Sequence, residues 1–456
     1  MKKLLCVFIT LILATCTVIP NALANAPSQN MQAAWMASVY NIDFPSVRNN
    51  MTVQKNEYIA KLDKLKAIGI NTVIVQVRPK ADALYESDIN PWSDVLTGTQ
   101  GLYPGYDPMA FMIEEAHKRG MTFHAWLNPY RITTSGTDLN VLCAAHPARL
   151  HPDWVISYNN ALYYNPGSPE VKNHIVTSVQ EIVKNYDVDA IIFDDYFYPS
   201  NYPLAPGEGI NGAEANDRRQ SINDMIAEVN TTIKNTKTNV LFGVSPMGIW
   251  KNRASDPTGS QTTGKQSYYS FADARTWIKN GWIDYVSPQI YWETGNKAAD
   301  YETLVSWWSN EVKGTSVKLY ISQGIYRDVV AKQIDTQLKI NQKYPEVGGS
   351  FYYNTKYLLS DLGGCNGKIA AFNQLSSTNI NTRIDPSAYA TQPAKIGTVA
   401  VKILNVRKGS DTKQVVVGKV TKGTKVTILD NKKGWYNVRL SNGKIGWVYA
   451  AYVKVD

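Results

Sequence analysis

Between residues 33 and 355, short apolar runs alternate with amphipathic stretches of helical period. The runs span residues 33–41, 72–79, 122–129, 190–199, 241–248, 285–292, 319–326 and 349–355, and each ends in polar or aromatic residues. Runs this short, bounded by breakers, predict strands buried on both faces, as in parallel sheets. The stretches between them predict helices, clearest over 56–68 and 108–119. Each of these is followed by a glycine, Gly69 and Gly120, suited to a left-handed stop. Eight such units over roughly 320 residues predict a (β/α)8 TIM barrel of the α/β class with long loops. An open doubly wound sheet is the alternative. It would carry a glycine-rich phosphate loop after its first strand, and Val39-Tyr40-Asn41-Ile42-Asp43 has none.

Past residue 364 the pattern changes. Residues 376–395 read as a polar linker of Ser, Thr, Asn and Pro without periodicity. Residues 396–456 show short alternating strands, such as 399–406 and 425–429. Turn signals stand at Lys408-Gly409, Lys422-Gly423 and Asn442-Gly443. They predict a small all-β barrel of about 60 residues. The larger domain is then residues 25–375.

The start of the chain predicts export. Lys2-Lys3, the apolar run 4–14 and Ala22-Leu23-Ala24 form a secretory signal peptide over residues 1–24, cut before Asn25. Its run is too short to span a bilayer, and no later segment is apolar enough to do so. Lipoprotein processing at Cys16 is the alternative, which Thr15 fits poorly. Cleavage removes Cys6 and Cys16 and leaves Cys143 and Cys365, which form neither a disulfide framework nor a metal site. They could pair or stay free. The formal charge of +9 becomes +7, since Lys2 and Lys3 are the leader's only charges. Mild positive charge suits an anionic wall surface, and equally plain solubility. Nothing resembles a nucleic-acid module.

The chemistry concentrates in Asp189-Ala190-Ile191-Ile192-Phe193-Asp194-Asp195-Tyr196-Phe197-Tyr198-Pro199. Four apolar residues run into two carboxylates, which are too costly to bury unpaired and so belong at a strand end facing the barrel mouth. Side chains alternate along a strand, so one acid of the pair should face inward. The expected assignment puts Asp195, Phe193 and Ile191 inward, with Ile192 and Asp194 toward the helices. The opposite assignment stays open.

Two resemblances follow from particular blocks. Leu404-Asn405-Val406-Arg407-Lys408-Gly409, Gly434-Trp435-Tyr436-Asn437-Val438 and Gly443-Lys444-Ile445-Gly446-Trp447-Val448 resemble a bacterial SH3-like domain. That implies targeting to a cell-wall peptide or glycan, with Trp435 and Trp447 serving either binding or packing. The larger domain resembles the bacterial glycosyl-hydrolase-like TIM-barrel family once known only as a domain of unknown function. The blocks that carry this are Ala34-Trp35-Met36-Ala37-Ser38-Val39, Val75-Gln76-Val77-Arg78-Pro79 and His124-Ala125-Trp126-Leu127-Asn128-Pro129-Tyr130-Arg131. Phe193-Asp194-Asp195-Tyr196, Phe242-Gly243-Val244-Ser245-Pro246 and Ser287-Pro288-Gln289-Ile290-Tyr291-Trp292 complete them. The resemblance implies a (β/α)8 fold and glycosidase activity, with peptidoglycan glycan strands as a substrate of some members.

Glycoside hydrolysis needs two carboxyl groups, one protonated and one acting as nucleophile or base. Asp195 is the expected nucleophile or base. Glu293, just after Tyr291 and Trp292, is the expected acid, its pKa raised if those rings desolvate it. Asp194 is the further catalytic candidate. Asp43 and Asp82 also lie past strand ends, among ordinary loop polar residues. Arg78, His124, Asn128, Tyr130 and Arg131 at strand ends could orient sugar hydroxyls, although His124 could equally be a core histidine. Tyr196, Tyr291 and Trp292, with Tyr40, Trp126, Tyr198 and Trp250, could stack on sugar rings. No cofactor or metal is expected. None of the five histidines are spaced i, i+4, and His-Glu-x-x-His and Gly-x-Ser-x-Gly are absent. The expected protein is a secreted, wall-associated glycosidase acting on a cell-wall polysaccharide. The alternative is a wall- or glycan-binding protein without catalysis.

Overall fold

The computed structural model describes residues 30–379 and 395–455, apart from 433 and 441–443. The leader with Cys16 and the Asn442-Gly443 turn lie outside the described residues. So does the linker, except at its ends, which belong to helix Cys365–Asn379 and strand Lys395–Val399. Two compact units divide after Asn379.

The strands of the first unit are β1 (Met31–Met36), β2 (Thr72–Arg78), β3 (Thr122–Leu127), a hairpin of β4 (Val155–Tyr158) and β5 (Ala161–Tyr164), β6 (Ala190–Phe193), β7 (Leu241–Val244), β8 (Tyr285–Val286), β9 (Lys318–Gln323) and β10 (Val347–Tyr352). All but the hairpin close into a parallel barrel in the order β1-β10-β9-β8-β7-β6-β3-β2. It is the predicted (β/α)8 barrel. Closure rests on β1 beside β10, with Ala33 opposite Phe351.

Helix ends follow local chemistry. The helix predicted from residue 56 starts at Met51, because the Asn50 side chain accepts from Val53 N at 3.1 Å and caps it there. Asp107 caps Pro108–Lys118 by accepting from Ala110 N at 3.0 Å. Gly69 and Gly120 adopt φ of 82° and 67°, the left-handed stop expected of them.

Strand alternation sorts the core into two layers. Ala33, Trp35, Ile74, Trp126, Ala190, Ile192, Tyr285, Tyr320 and Phe351 pack together along the barrel axis. The alternate residues Ala34, Val73, Val75, Phe123, Ala125, Ile191, Phe193 and Phe242 pack outward against the helices. The axial layer is aromatic and partly polar: the His124 ring lies beside Phe351, and its Nδ1 lies 3.0 Å from the Tyr285 hydroxyl. Gly243 leaves room for the Tyr285 ring.

The second unit is a seven-stranded antiparallel sheet of β11 (Lys395–Val399), β12 (Ile403–Arg407), β13 (Val416–Thr421), β14 (Lys425–Lys432), β15 (Trp435–Arg439), β16 (Ile445–Tyr449) and β17 (Val453–Val455). Val399, Leu404, Val406, Val420, Val426, Val438, Val448 and Val453 fill its core. Trp435 is buried, edge-on to Tyr449 at 5.3 Å, and Trp447 is half-buried.

A methyl group at position 243 would run into the Tyr285 ring. Gly243→Ala is therefore expected to lower stability by about 1–3 kcal/mol through overpacking, read as an earlier urea midpoint at unchanged slope. An unchanged midpoint would mean that the axial layer has slack here.

Candidate active site

Asp194 stands two residues beyond Ile192, on the inward face. Its Oδ2 accepts from Trp126 Nε1 at 2.9 Å and from Asn128 Nδ2, and its Oδ1 from Tyr196 N at 3.2 Å. This corrects the expected parity: Ala190 and Ile192 face the axis, while Ile191 and Phe193 pack under the helices. Alternation also ceases at Phe193, where β6 ends, so Asp195 is not confined to the helix side. Its Oδ1 accepts from Gln289 Nε2 at 2.9 Å, and the same nitrogen donates to Ser245 O at 3.0 Å. Both acids thus belong to the mouth, where only one was expected.

Asp194 ends a chain of hydrogen bonds that joins the ends of four neighbouring strands, β6, β3, β2 and β1. Asn128 turns its amide nitrogen to Asp194 because its Oδ1 accepts from Gln76 Nε2 at 2.5 Å and from Arg131 Nη2. Gln76 is oriented in turn by its Oε1, which accepts from Ser38 N at 3.0 Å and Val39 N at 2.9 Å. The next residue, Tyr40, adopts φ 55° and is 67% exposed. An aromatic residue in the left-handed region is strained and persists only where its surroundings dictate it. Here the neighbouring Asn41 side chain donates to Pro45 O and Val95 O and accepts from Arg48.

Burial is the largest influence on both carboxyls and raises both. Asp194 is pushed up to about 7, with the charge of Asp195 adding to the effect. Arg131 and Lys265 are the cations whose charge favours ionisation of Asp195. Such a pair titrates as one unit and retains a shared proton toward neutrality. Three N–H donors favour the ionised form of Asp194. The second oxygen of Asp195 is engaged by no described side chain, which leaves it room to carry a proton. Aromatic rings surround the pair. Arg131 lies 4.8 Å over the Tyr196 ring, itself 47% exposed. Tyr291 stacks on Tyr353 at 5.7 Å, and Tyr326 stands edge-on to both. The charges of Asp194 and Asp195 add to the burial that raises the Tyr291 phenol.

Several expected site residues are placed elsewhere. Asn296 Nδ2 donates to Glu293 Oε1 at 2.8 Å, and Arg327 pairs with Oε2 at 3.3 Å. The first of these bonds is the main cause that holds the carboxyl below its usual range, the opposite of the desolvated acid expected. Arg78 is buried and spends its donors on Asn128 O, Pro129 O and Asn90, with His174 3.4 Å away, so it pins the loop after β3. His124 lies within the axial layer, kept neutral by burial that lowers its pKa to about 4. Tyr130, Tyr198 and Trp250 pack in the outer core, and Trp292 packs against it with its carbonyl bound by Gln337. Trp126 is buried and serves as a donor. Asp43 is buried, its two oxygens accepting from Ala37 N and Lys356 N, both at 2.7 Å. Gln76, Gln289, Lys265 and Tyr353 had no assigned role. Gln76 sits opposite Trp126 across the β2–β3 register, which alternation within one strand does not reveal, and Lys265 lies in a loop without any pattern. Among the described residues no group of three or more His, Cys, Asp or Glu could hold a metal ion.

Residues 30–344 match the family described as glycosyl hydrolase-like 10, and residues 403–454 match the bacterial SH3 domain. The chain belongs to the glycosyl hydrolase-like 10 family. Glycosyl hydrolase YngK of Bacillus subtilis (strain 168) is 46% identical over 383 residues, covering 78% of this chain and 74% of YngK. Glycosyl hydrolase DigH of Escherichia coli (strain K12) is 40% identical over 381 residues, covering 74% and 86% respectively. The solved structure of alpha-L-fucosidase isoenzyme 2 from Paenibacillus thiaminolyticus shares the fold, with TM-score 0.50 and 12% identity over 77% of this chain and 50% of that one. This member of the glycosyl hydrolase-like 10 family is a glycoside hydrolase.

Trp126→Phe deletes a donor that favours ionised Asp194, so the acid pair should bind protons more tightly. We expect both limbs of the activity–pH profile, the alkaline one near pH 7 in the parent, to move to higher pH. A profile that stays in place would remove the indole from the titrating unit.

Proposed function

We propose that this glycoside hydrolase is exported and cleaves a cell-wall polysaccharide, peptidoglycan glycan strands in particular, with Asp194 and Asp195 as its two working carboxyl groups. One observation carries this reading: two adjacent acids at the barrel mouth, one fixed by Trp126 and Asn128 and the other by Gln289, with burial raising both. Glycosidic cleavage needs a proton donor and its ionised partner at the same pH, and a pair sharing one proton supplies both. The wall is favoured by the bacterial SH3 domain at 403–454, read as an anchor for wall peptide or glycan. The leader over residues 1–24 and the net positive charge agree with an exported protein working on an anionic matrix. Among the described residues no helix is long and apolar enough to cross a membrane. Tyr196, with Arg131 over its ring, and the exposed Tyr40 give the glycan flat apolar faces along the mouth.

The deciding experiment digests purified cell-wall sacculi, with and without their stem peptides removed, and reads released fragments by mass spectrometry. The parent should free glycan fragments whose ends name the bond. Asp194→Asn and Asp195→Asn should each lose about a hundredfold or more in rate. Glu293→Gln should stay within a few-fold of the parent, because its carboxyl is committed to Asn296 and Arg327. Sacculi left intact by the parent protein would sink the wall reading. Loss of activity in Glu293→Gln alone would return the acid role to that residue.

Tyr40→Ala should raise KM several-fold at unchanged kcat, with Tyr40→Phe like the parent. A fall in kcat instead would place the ring's effect in the hydrogen-bonded chain to Asp194.

A further inference from the structure

A protein nucleophile and a general acid usually flank the scissile bond, about 5–5.5 Å apart in retaining enzymes and about 6.5–9.5 Å apart in inverting ones. Here the two carboxyls come from consecutive residues at the end of β6 and so stand on the same edge of the mouth. The other acids near strand ends are committed. Both oxygens of Asp43 accept backbone amides, Glu293 is bound by Asn296 and Arg327, and the buried Asp82 accepts from Lys80 N and Gln100 Nε2. The pair can supply an acid and an ionised partner, while each of these other strand-end acids is held by donors of its own rather than left to act as a nucleophile.

We propose that the nucleophile belongs to the substrate: the enzyme cuts after a 2-acetamido-2-deoxy sugar, whose amide oxygen attacks its own anomeric carbon, with Asp194 orienting the amide N–H and Asp195 serving as acid and then base. This rests on the glycan reading above and names the sugar class that the site takes. The hydrogen bonds divide the roles. Asp194 already accepts three N–H donors, the environment of an ionised carboxylate that can accept a further N–H. Asp195 is held by Gln289 through one oxygen and keeps the other for the proton it must deliver. The Tyr291–Tyr353 stack forms an apolar wall beside the pair, suited to the acetamido methyl.

The steps balance. The amide oxygen forms a bond to C1 as the bond from C1 to the leaving oxygen breaks, and the Asp195 proton passes to that oxygen. The amide nitrogen keeps its proton, held by Asp194, and its electron pair delocalises into the oxazolinium ring. A water oxygen then bonds to C1 while Asp195 takes the water proton. The ring bond from C1 to the amide oxygen breaks and restores the acetamide. One water is consumed, one glycosidic bond is lost, and two inversions leave the configuration retained.

The test uses the full chain and soluble glycan strands of alternating N-acetylated sugars. The same strands, deacetylated and then re-acylated with trifluoroacetyl groups, carry a far poorer amide nucleophile. The expected result is a first-formed product of retained configuration by proton NMR, and a rate at least about tenfold lower on the trifluoroacetyl strands at similar binding. A glycosyl–protein adduct trapped by acid quench and located by mass spectrometry, an inverted product, or equal rates on the two strands would overturn this inference while leaving the glycosidase reading intact. Acetylated strands that are not cut at all would overturn both.

Discussion

A carboxylate withdrawn from water is tolerated only where donors replace the water it loses. Asp194 meets that requirement with donors from the end of β3 and from its own loop. Trp126 and Asn128 donate to it, Asn128 is turned by Gln76, and Gln76 is turned by the amides that follow β1. Pairing of Gln76 with Trp126 and of Trp126 with Ile192 sets these groups side by side. A slip of one residue anywhere in β2, β3 or β6 would turn one of them to the helix side. Correct closure of the barrel and correct presentation of the acid are therefore one requirement.

The barrel was legible because its outer layer is aliphatic. Val73, Val75, Ile191 and Phe193 face helices and give each strand its apolar signature. The inner layer hid in plain view. His124 and Trp126 read as site candidates in the sequence, yet His124 lies in the axis with Trp35, Tyr285 and Tyr320, and Trp126 reaches the site only as a donor to Asp194. The parity of the acid pair was misjudged for the same reason, since nothing marks Ile192 as axial and Ile191 as peripheral until the neighbouring strands are in place. Chain proximity misled again at Glu293. Tyr291 and Trp292 stand beside it in sequence, but Asn296 and Arg327 decide its charge, and Arg327 comes from the loop after β9. The helix Cys365–Asn379 went unseen because its sequence shows little segregation of apolar residues, although Cys365 and Ile369 reach the core.

The electrostatics of the mouth follow from that burial. Two adjacent carboxyls in a poorly solvated site cannot both be charged cheaply, and Arg131 and Lys265 offset only part of the cost. Lone cations would drive both acids to ionise; lone burial would keep both protonated. The actual site lies between these limits, with both acids raised and the donors placed asymmetrically. Trp126, Asn128 and the Tyr196 amide load Asp194, while Gln289 engages one side of Asp195.

An acid and its ionised partner on consecutive residues share one backbone anchor, so small shifts of the barrel strands move them together. That rigidity has a consequence for selectivity. If the group that must attack the anomeric carbon is carried by the substrate, a sugar lacking it can occupy the same stacked rings and make the same ground-state contacts. What it loses is stabilisation specific to the transition state, so discrimination falls on kcat rather than on KM. Aromatic platforms such as the exposed Tyr196, which treat most pyranose rings alike, would then suffice for binding, because the choice among sugars would be made at the acid pair.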